Sequence, residues 1–278
     1  MPDTLSPSLP ATGLRRRTLG ALLGAALTLG LALGAVAPAA VQAAEIRVVT
    51  SGGFSAAYDQ LVPIYEQATG NKVTTARGAS IGNAPDSIPS RMARGEQFDV
   101  VILADSALDQ LIEQGKVQAG SRVDLARSMI GMSVRKGTPR PDISTVDALR
   151  QTLLNARSIA YSASASGTYL STELFQRLGV AEQIKDKAKK IYSERVGAVV
   201  LRGDAEIGFQ QVSELLPFKE LDFVGPLPDE VQQRVFFSAG VATGAPEPEA
   251  ARQLIRFLAA PAAASIVRST GMEPAAAR

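Results

Sequence analysis

The chain has 278 residues with 29 basic and 27 acidic side chains, a formal charge of +2, and no cysteine, histidine or tryptophan. These absences exclude a disulfide framework, a thiol nucleophile, a Ser-His-Asp triad and an imidazole proton shuttle, and they remove the usual ligands of zinc and copper. Proton transfer must therefore use Asp, Glu, Lys, Tyr, a serine paired with one of these, or water, and no metal or cofactor is expected.

The first feature in chain order is an export signal. Arg15, Arg16 and Arg17 precede a small-apolar run over 18–40 that closes in Val41-Gln42-Ala43, which reads as a signal peptide over 1–43 with the exported protein starting near Ala44. Consecutive arginines favour the twin-arginine route, although the match is partial. The run is long enough to span a bilayer, but its Gly and Ala content, Pro38 near its end and the lack of a charged stop after it argue against an anchor. Removing 1–43 takes away three arginines and one aspartate and leaves basic and acidic residues equal in number. With no Lys/Arg run remaining, no nucleic-acid partner is expected. Nothing else reads as a membrane segment, and the expected compartment is the periplasm.

Beyond Ala44, apolar runs alternate with amphipathic segments. Residues 45–50 predict a strand and 54–69 a helix ended by Gly70. A strand at 73–76, a short helix at 88–95, an apolar strand at 98–103 and a helix at 106–114 stopped by Gly115 follow. Next come a strand at 130–135, a helix at 145–155, and a strand at 158–161 feeding a loop and a helix over 168–178. A helix at 196–202, short strands at 207–210, 222–224 and 235–242, and helices at 248–258 and 262–270 complete the pattern. This alternation predicts an α/β fold with a parallel sheet covered by helices.

In such sheets, ligands sit where strands end and helix N-termini begin. Three loops fit: Thr50-Ser51-Gly52-Gly53, Gly78-Ala79-Ser80-Ile81-Gly82-Asn83, and Tyr161-Ser162-Ala163-Ser164-Ala165-Ser166-Gly167-Thr168-Tyr169. Any one of them can be an ordinary N-cap. Three in succession, each with hydroxyls and glycines that expose backbone N–H groups, suggest an anion cradle.

Ser51 after the first strand, the Gly-Ala-Ser segment ending at Ser80, Asp99-Val100-Val101-Ile102 with Asp105, and Gly-Asp-Ala-x-Ile-Gly at 203–208 fall in an order and spacing that resembles the periplasmic solute-binding proteins of the molybdate-binding type. The resemblance covers nearly the whole chain after residue 43. It implies a two-lobed periplasmic binding protein fold of type II, each lobe a sheet covered by helices, with the ligand in the cleft between lobes. Lobe I would comprise 44–127 plus 234–278 and lobe II 128–233, with a hinge near 128 and 234. Carried over by position, it places contacts to a small anionic ligand at Ser51, Ser80, the 164–167 loop with Ser164, Ser166 and Gly167, and the Val196 backbone; Gly52, Asn83, Thr168 and Arg195 beside them are further candidate contacts. Gln210-Gln211, where molybdate binders often carry a tyrosine, and the segment 83–89 before Arg91 and Arg94 depart from the pattern. These departures point to a larger or differently shaped anion.

Ser-Gly-Gly-Phe at 51–54, Ile-Pro-Ser-Arg-Met-Ala-Arg-Gly-Glu at 88–96, the 161–169 loop and Gly-Phe-Gln-Gln-Val-Ser-Glu-Leu-Leu-Pro at 208–217 look like the branch of this family that includes bacterial aconitate isomerase. That likeness implies an exported, monomeric isomerase of a small polycarboxylate, moving a double bond between cis- and trans-aconitate by allylic proton transfer. The alternative is a non-catalytic solute-binding subunit that feeds molybdate or another small anion to an ABC permease.

An isomerase needs a base that touches a substrate carbon. Glu194 is the first candidate because it directly precedes the ligand contact at Val196, although Glu194-Arg195 can equally be a surface charge pair at a helix start. Tyr169 and Tyr161 are further proton carriers unless they belong to the core. Asp99 and Asp105 lie at strand ends, where Asp105 can simply cap a helix. Arg77, Arg91 and Arg94 suit bidentate carboxylate binding, and the last two can also form a solvated stripe. Gln210 and Gln211 both donate and accept, but a strand sends one of them away from any site.

Overall fold

The computed structural model describes residues 43–275, so the signal-peptide reading lies outside the described residues. The first elements are β1 (Glu45–Thr50), α1 (Gly52–Thr69), β2 (Lys72–Arg77), α2 (Ile88–Ala93), β3 (Val100–Ala104), α3 (Asp105–Glu113) and β4 (Val123–Arg135). They are followed by α4 (Val146–Asn155), β5 (Ile159–Ser162), α5 (Ala165–Tyr169), a π-helical turn (Leu170–Leu174), α6 (Phe175–Arg177), α7 (Ala181–Ile184), β6 (Ala188–Ile191), α8 (Val196–Arg202), β7 (Ile207–Gln211), α9 (Val212–Leu215) and β8 (Leu221–Pro226). A 3-10 turn (Asp229–Val231), β9 (Arg234–Val241), α10 (Pro248–Leu258), a second 3-10 turn (Pro261–Ala263), α11 (Ala264–Ser269) and the short β10 (Glu273–Pro274) end the described chain. None of the described helices is long and apolar enough to cross a membrane.

The strands join in the order β2-β1-β3-β9-β4-β7-β5-β6, with β8 and β10 also pairing with β4. The sheet is mixed, which corrects the expectation of a parallel one. β1 is parallel to β2 and β3, and β5 is parallel to β6 and β7. β9 and β4 run antiparallel to their neighbours. Helix crossovers return the chain parallel to where it left. β4 and β9 instead carry the chain out of one sheet half and back into it, so they enter from the opposite end.

β4 is the longest strand and changes partner along its length. Val123–Met129 pairs with β9, and from Ile130 onward the strand pairs with β7 and, from Gly131, with β8. The sequence pattern shows only the second part, because a register shift between Asp124 and Ala126 breaks the alternation in the first. Each half of the sheet has apolar clusters of its own. Ile46, Val48, Phe54, Tyr58 and Val100 anchor one in the first half, and Ile130, Met132, Leu149, Ile207 and Phe209 anchor another in the second.

α1 shows how local sequence sets this geometry. Phe54, Ala57, Tyr58, Leu61, Val62 and Tyr65 recur at helical spacing and are buried. Gly70 ends the helix at φ 77°, a left-handed conformation that glycine adopts without strain. At its start, Ser51 passes directly from β1 into the helix and donates its N–H to the Ile102 carbonyl at 2.8 Å. The helix start is thereby fixed at the end of the central strands.

Asp99, expected as a strand-end acid, is a structural residue. It is fully buried, and its two carboxylate oxygens accept the N–H groups of Arg47 at 2.7 Å and Glu247 at 2.8 Å. Asp99→Ala leaves two buried donors unpaired and is expected to cost about 3 kcal/mol of stability, measured by denaturant unfolding; an unchanged midpoint would refute this role.

Candidate functional site

The end of β1 with the start of α1, the loop after β2, the loop after β5, the segment between β6 and α8, and the end of β7 converge on one cleft of about 250 Å³. Gly52, Ser55, Arg77, Gly78, Ala79 and Asp86 line it from the first sheet half. Ser162, Ala163, Ser164, the segment 191–195, Gln210 and Glu214 line it from the second. The two sides touch. The Ser80 N–H donates to Ser164 Oγ at 3.2 Å, and Ser213 Oγ donates to the Gly53 carbonyl at 2.6 Å. A larger groove of about 520 Å³ lies in the second half beside Arg135, Arg140 and Arg157. Two of its arginines are already engaged, Arg140 with the Phe223 carbonyl and Arg157 with Glu206, and no helix start opens into it.

Charge in the cleft is arranged from both sides. The Arg77 guanidinium donates to Ser55 Oγ at 2.8 Å and to Asp59 Oδ1 at 2.5 Å, which fixes it at the wall. Arg195 is half-buried, and its guanidinium makes no hydrogen bond among the described residues. The 18-residue α1 begins here with no side-chain cap and no acidic residue in its first turn, so its own sequence supplies no acceptor for its first N–H groups.

Glu214, on α9, is the carboxyl at the base of this cleft. It is 8% exposed. Gln210 Nε2 donates to its Oε1 at 2.8 Å, while Gln210 Oε1 accepts the Val196 N–H at 3.0 Å, which settles the orientation of the amide. Burial pushes the Glu214 carboxyl up to about 7, against the Arg195 charge and the Gln210 hydrogen bond, which pull it back. The ionisable groups sharing the cleft are Arg77 from β2, Asp86 from the loop before α2, and Tyr192, Glu194 and Arg195 from the segment after β6. Gly52 packs directly on this carboxyl: a β-carbon at that position would lie 2.0 Å from Glu214 Oε1.

The structure brings together Gly52, Ser164, Arg195 and Gln210 as lining residues, with Glu194 at the edge. Ser51 occupies the N-cap position of α1, but its buried hydroxyl makes no cap hydrogen bond and has no partner. Ser80 lends its hydroxyl to the Ala104 N–H at 3.0 Å and meets the cleft loop through its backbone. Val196 contributes its N–H to Gln210. Ser166 is buried against the Ser162 hydroxyl at 3.0 Å. Gly167 allows a close approach, since a β-carbon there would sit 1.6 Å from the Ser162 carbonyl. Thr168 continues the helix by donating its N–H to the Ser164 carbonyl. Of the two glutamines, Gln211 is the one turned away from the cleft, and its buried amide has no partner.

Other expected residues lie elsewhere. Asn83 is exposed and outside the cleft. Tyr169 donates its hydroxyl to the Val231 carbonyl at 2.8 Å in the core of the second half, and Tyr161 packs edge-on against Phe175 there. Arg91 and Arg94 both bind Glu96, and Asp105 pairs with Arg122. The Glu194 carboxylate is exposed and gripped by both guanidinium nitrogens of Arg202, at 2.7 and 3.0 Å, which hold its pKa below the usual range. Among the described residues, no group of three or more acidic side chains is placed to hold a metal ion.

The model of the bacterial extracellular solute-binding protein family matches residues 46–273, and the chain belongs to that family. It is 45% identical over 254 residues to an aconitate isomerase of a Pseudomonas species, covering 91% of this chain and 97% of the relative. It is 27% identical over 251 residues to a molybdate-binding protein of Azotobacter vinelandii, covering 88% and 96%. The solved periplasmic molybdate-binding protein of Azotobacter vinelandii superposes with a TM-score of 0.68 at 20% identity, over 84% of this chain and all of that one. The fold is that of the type II periplasmic binding proteins.

The Glu214 carboxyl goes from an ordinary 4.5 to about 7 on folding, so its contribution to stability is present below about pH 4.5 and is lost as the pH rises to about 7. Glu214→Gln should remove this loss, on the order of a few kcal/mol, in denaturant titrations repeated across that range; parallel curves for the two proteins would contradict the burial argument. Tyr169→Phe leaves the Val231 carbonyl unpaired in the core and is expected to lower stability by about 1–2 kcal/mol by the same measurement.

Proposed function

We propose that this member of the solute-binding family is an exported, periplasmic isomerase of a small polycarboxylate, acting on cis- and trans-aconitate. The observation that carries this reading is the 45% identity to an aconitate isomerase, spread over nearly the full length of both chains. The cleft suits the chemistry. Aconitate carries three carboxylates, and Arg77 lines the cleft from the first sheet half and Arg195 from the second, together with Ser55, Ser164 and the start of α1. Moving its double bond requires a proton taken from one allylic carbon and returned to another. The charge that develops spreads onto the carboxylates that these donors already hold.

The division into lobe I (44–127 plus 234–278) and lobe II (128–233), with the hinge near 128 and 234, belongs to the same proposal. The partner exchange of β4 between Met129 and Ile130 and the start of β9 at Arg234 support it. Substrate enters when the lobes part, and the Ser80–Ser164 and Gly53–Ser213 contacts re-form on closure.

A second reading, a receptor that delivers an oxyanion such as molybdate to an ABC permease, is favoured by the 27% identity to a molybdate-binding protein. Glu214 lines the cleft in either case, and its charge when ionised opposes any bound anion, so conversion of the ligand is what separates the two readings.

Purified protein incubated with cis-aconitate in heavy water should form trans-aconitate, followed by proton NMR. Arg77→Gln and Arg195→Gln should each raise KM about tenfold or more, as expected for the loss of one charge-assisted carboxylate contact. No conversion, with molybdate raising the melting temperature, would return the protein to the receptor class.

A further inference from the structure

We propose that Glu214 is the general base that carries the proton between the allylic carbons, with Gly52 as the residue that makes room for its carboxyl; this rests on the isomerase reading above. The cleft offers few alternatives. Tyr192 is 60% exposed, and Glu194 is bound at both oxygens by Arg202. Asp86 lies on the outer loop and is only half-buried. Glu214 is buried, lines the cleft and has no ion-pair hydrogen bond. Gln210 fixes its Oε1, and its Oε2 accepts no hydrogen bond among the described residues.

Burial raises the proton affinity of this carboxyl toward neutrality, where a base is strong yet still ionised in useful amount. Its position is built by residues distant in sequence. The absent side chain at Gly52 leaves space that a β-carbon would take from Oε1, and Gln210 is itself oriented by the Val196 N–H.

The step balances with one base. A Glu214 oxygen takes a proton from the substrate methylene, so a C–H bond breaks and an O–H bond forms. The released pair becomes part of an allylic anion shared with the neighbouring carboxylates, while the old double-bond pair shifts to the far carbon. The same carboxyl then protonates that far carbon, breaking O–H and forming C–H, and the double bond has moved one position along. Nothing is oxidised or reduced, and Glu214 ends ionised as it began. The geometry of the product is set by the rotamer in which the cleft holds the former single bond.

The test compares wild type, Glu214→Gln, Glu214→Asp and Gly52→Ala by proton NMR for conversion and by calorimetry for trans-aconitate binding. Glu214→Gln should lose roughly 100- to 10,000-fold in kcat while binding trans-aconitate within about tenfold of wild type. Glu214→Asp, with a shortened carboxylate, and Gly52→Ala, with a displaced one, should each lose about tenfold or more in kcat at little changed Kd. A Glu214→Gln protein within tenfold of the wild-type kcat would overturn the assignment. If that variant does not melt cooperatively, Glu214→Asp decides, and a folded Asp variant with wild-type kcat would equally overturn it. A wild type that binds trans-aconitate without converting cis-aconitate sinks the isomerase reading, and the base with it.

Discussion

β4 runs through both halves of the sheet, pairing with β9 up to Met129 and with β7 and β8 beyond it. A strand cannot be shared in this way unless the two halves meet along a line, and that line brings the ends of β1, β5 and β7 to one place. The cleft is a consequence of this arrangement. α1 starts there because β1 ends there, and α9 starts there because β7 does. The hydrogen bonds across the cleft use small groups, a backbone N–H on Ser164 and a serine hydroxyl on a glycine carbonyl. They are the kind of contacts that part and re-form at modest cost, whereas the pairing along β4 is continuous.

The electrostatics of the cleft follow from what is paired and what is not. Charges beside it are largely spent locally: Arg202 on Glu194 and Asp204, and Arg77 on Asp59. Such exposed pairs contribute little to stability, and the Arg202 hydrogen bonds hold the Glu194 carboxyl below its ordinary range. Glu214 is the opposite case, a carboxyl taken out of water with an amide as its hydrogen-bond donor and a guanidinium near it. Desolvation outweighs both and keeps the acid near the middle of the pH scale. The same burial that costs stability on ionisation supplies the proton affinity needed for allylic transfer.

Much of the fold is legible in the sequence because strong local signals set it. Residues 45–50 form the expected strand, Gly70 stops α1, and α10 spans the expected 248–258. The missed elements have weak local signals. β6 is an edge strand reading Ala-Lys-Lys-Ile, polar as edge strands tend to be, and α9 is a four-residue turn of helix. The first part of β4 hides behind a register shift. For the candidate site, residues of the three loops picked out in the sequence line the cleft, whereas nothing local in the sequence singles out Glu214, the carboxyl proposed as base. Glu194 precedes the start of α8 along the chain, yet its side chain turns to Arg202. Glu214 looks like an ordinary helix residue, and only its packing against Gly52, which is far away in sequence, marks it out. Gln210 ends β7 and Glu214 lies on α9, so their hydrogen bond spans a strand-to-helix junction that no helical spacing in the sequence reveals.

The pH dependence of kcat/KM for aconitate interconversion tests the central claim most directly, since this ratio reports ionisation of the free enzyme's base. With Glu214 as that base, the ratio falls as the pH drops through about 7, following a single ionisation. A ratio that stays level from pH 7 down to about pH 5, where an ordinary exposed carboxylate would still be ionised, would contradict the account.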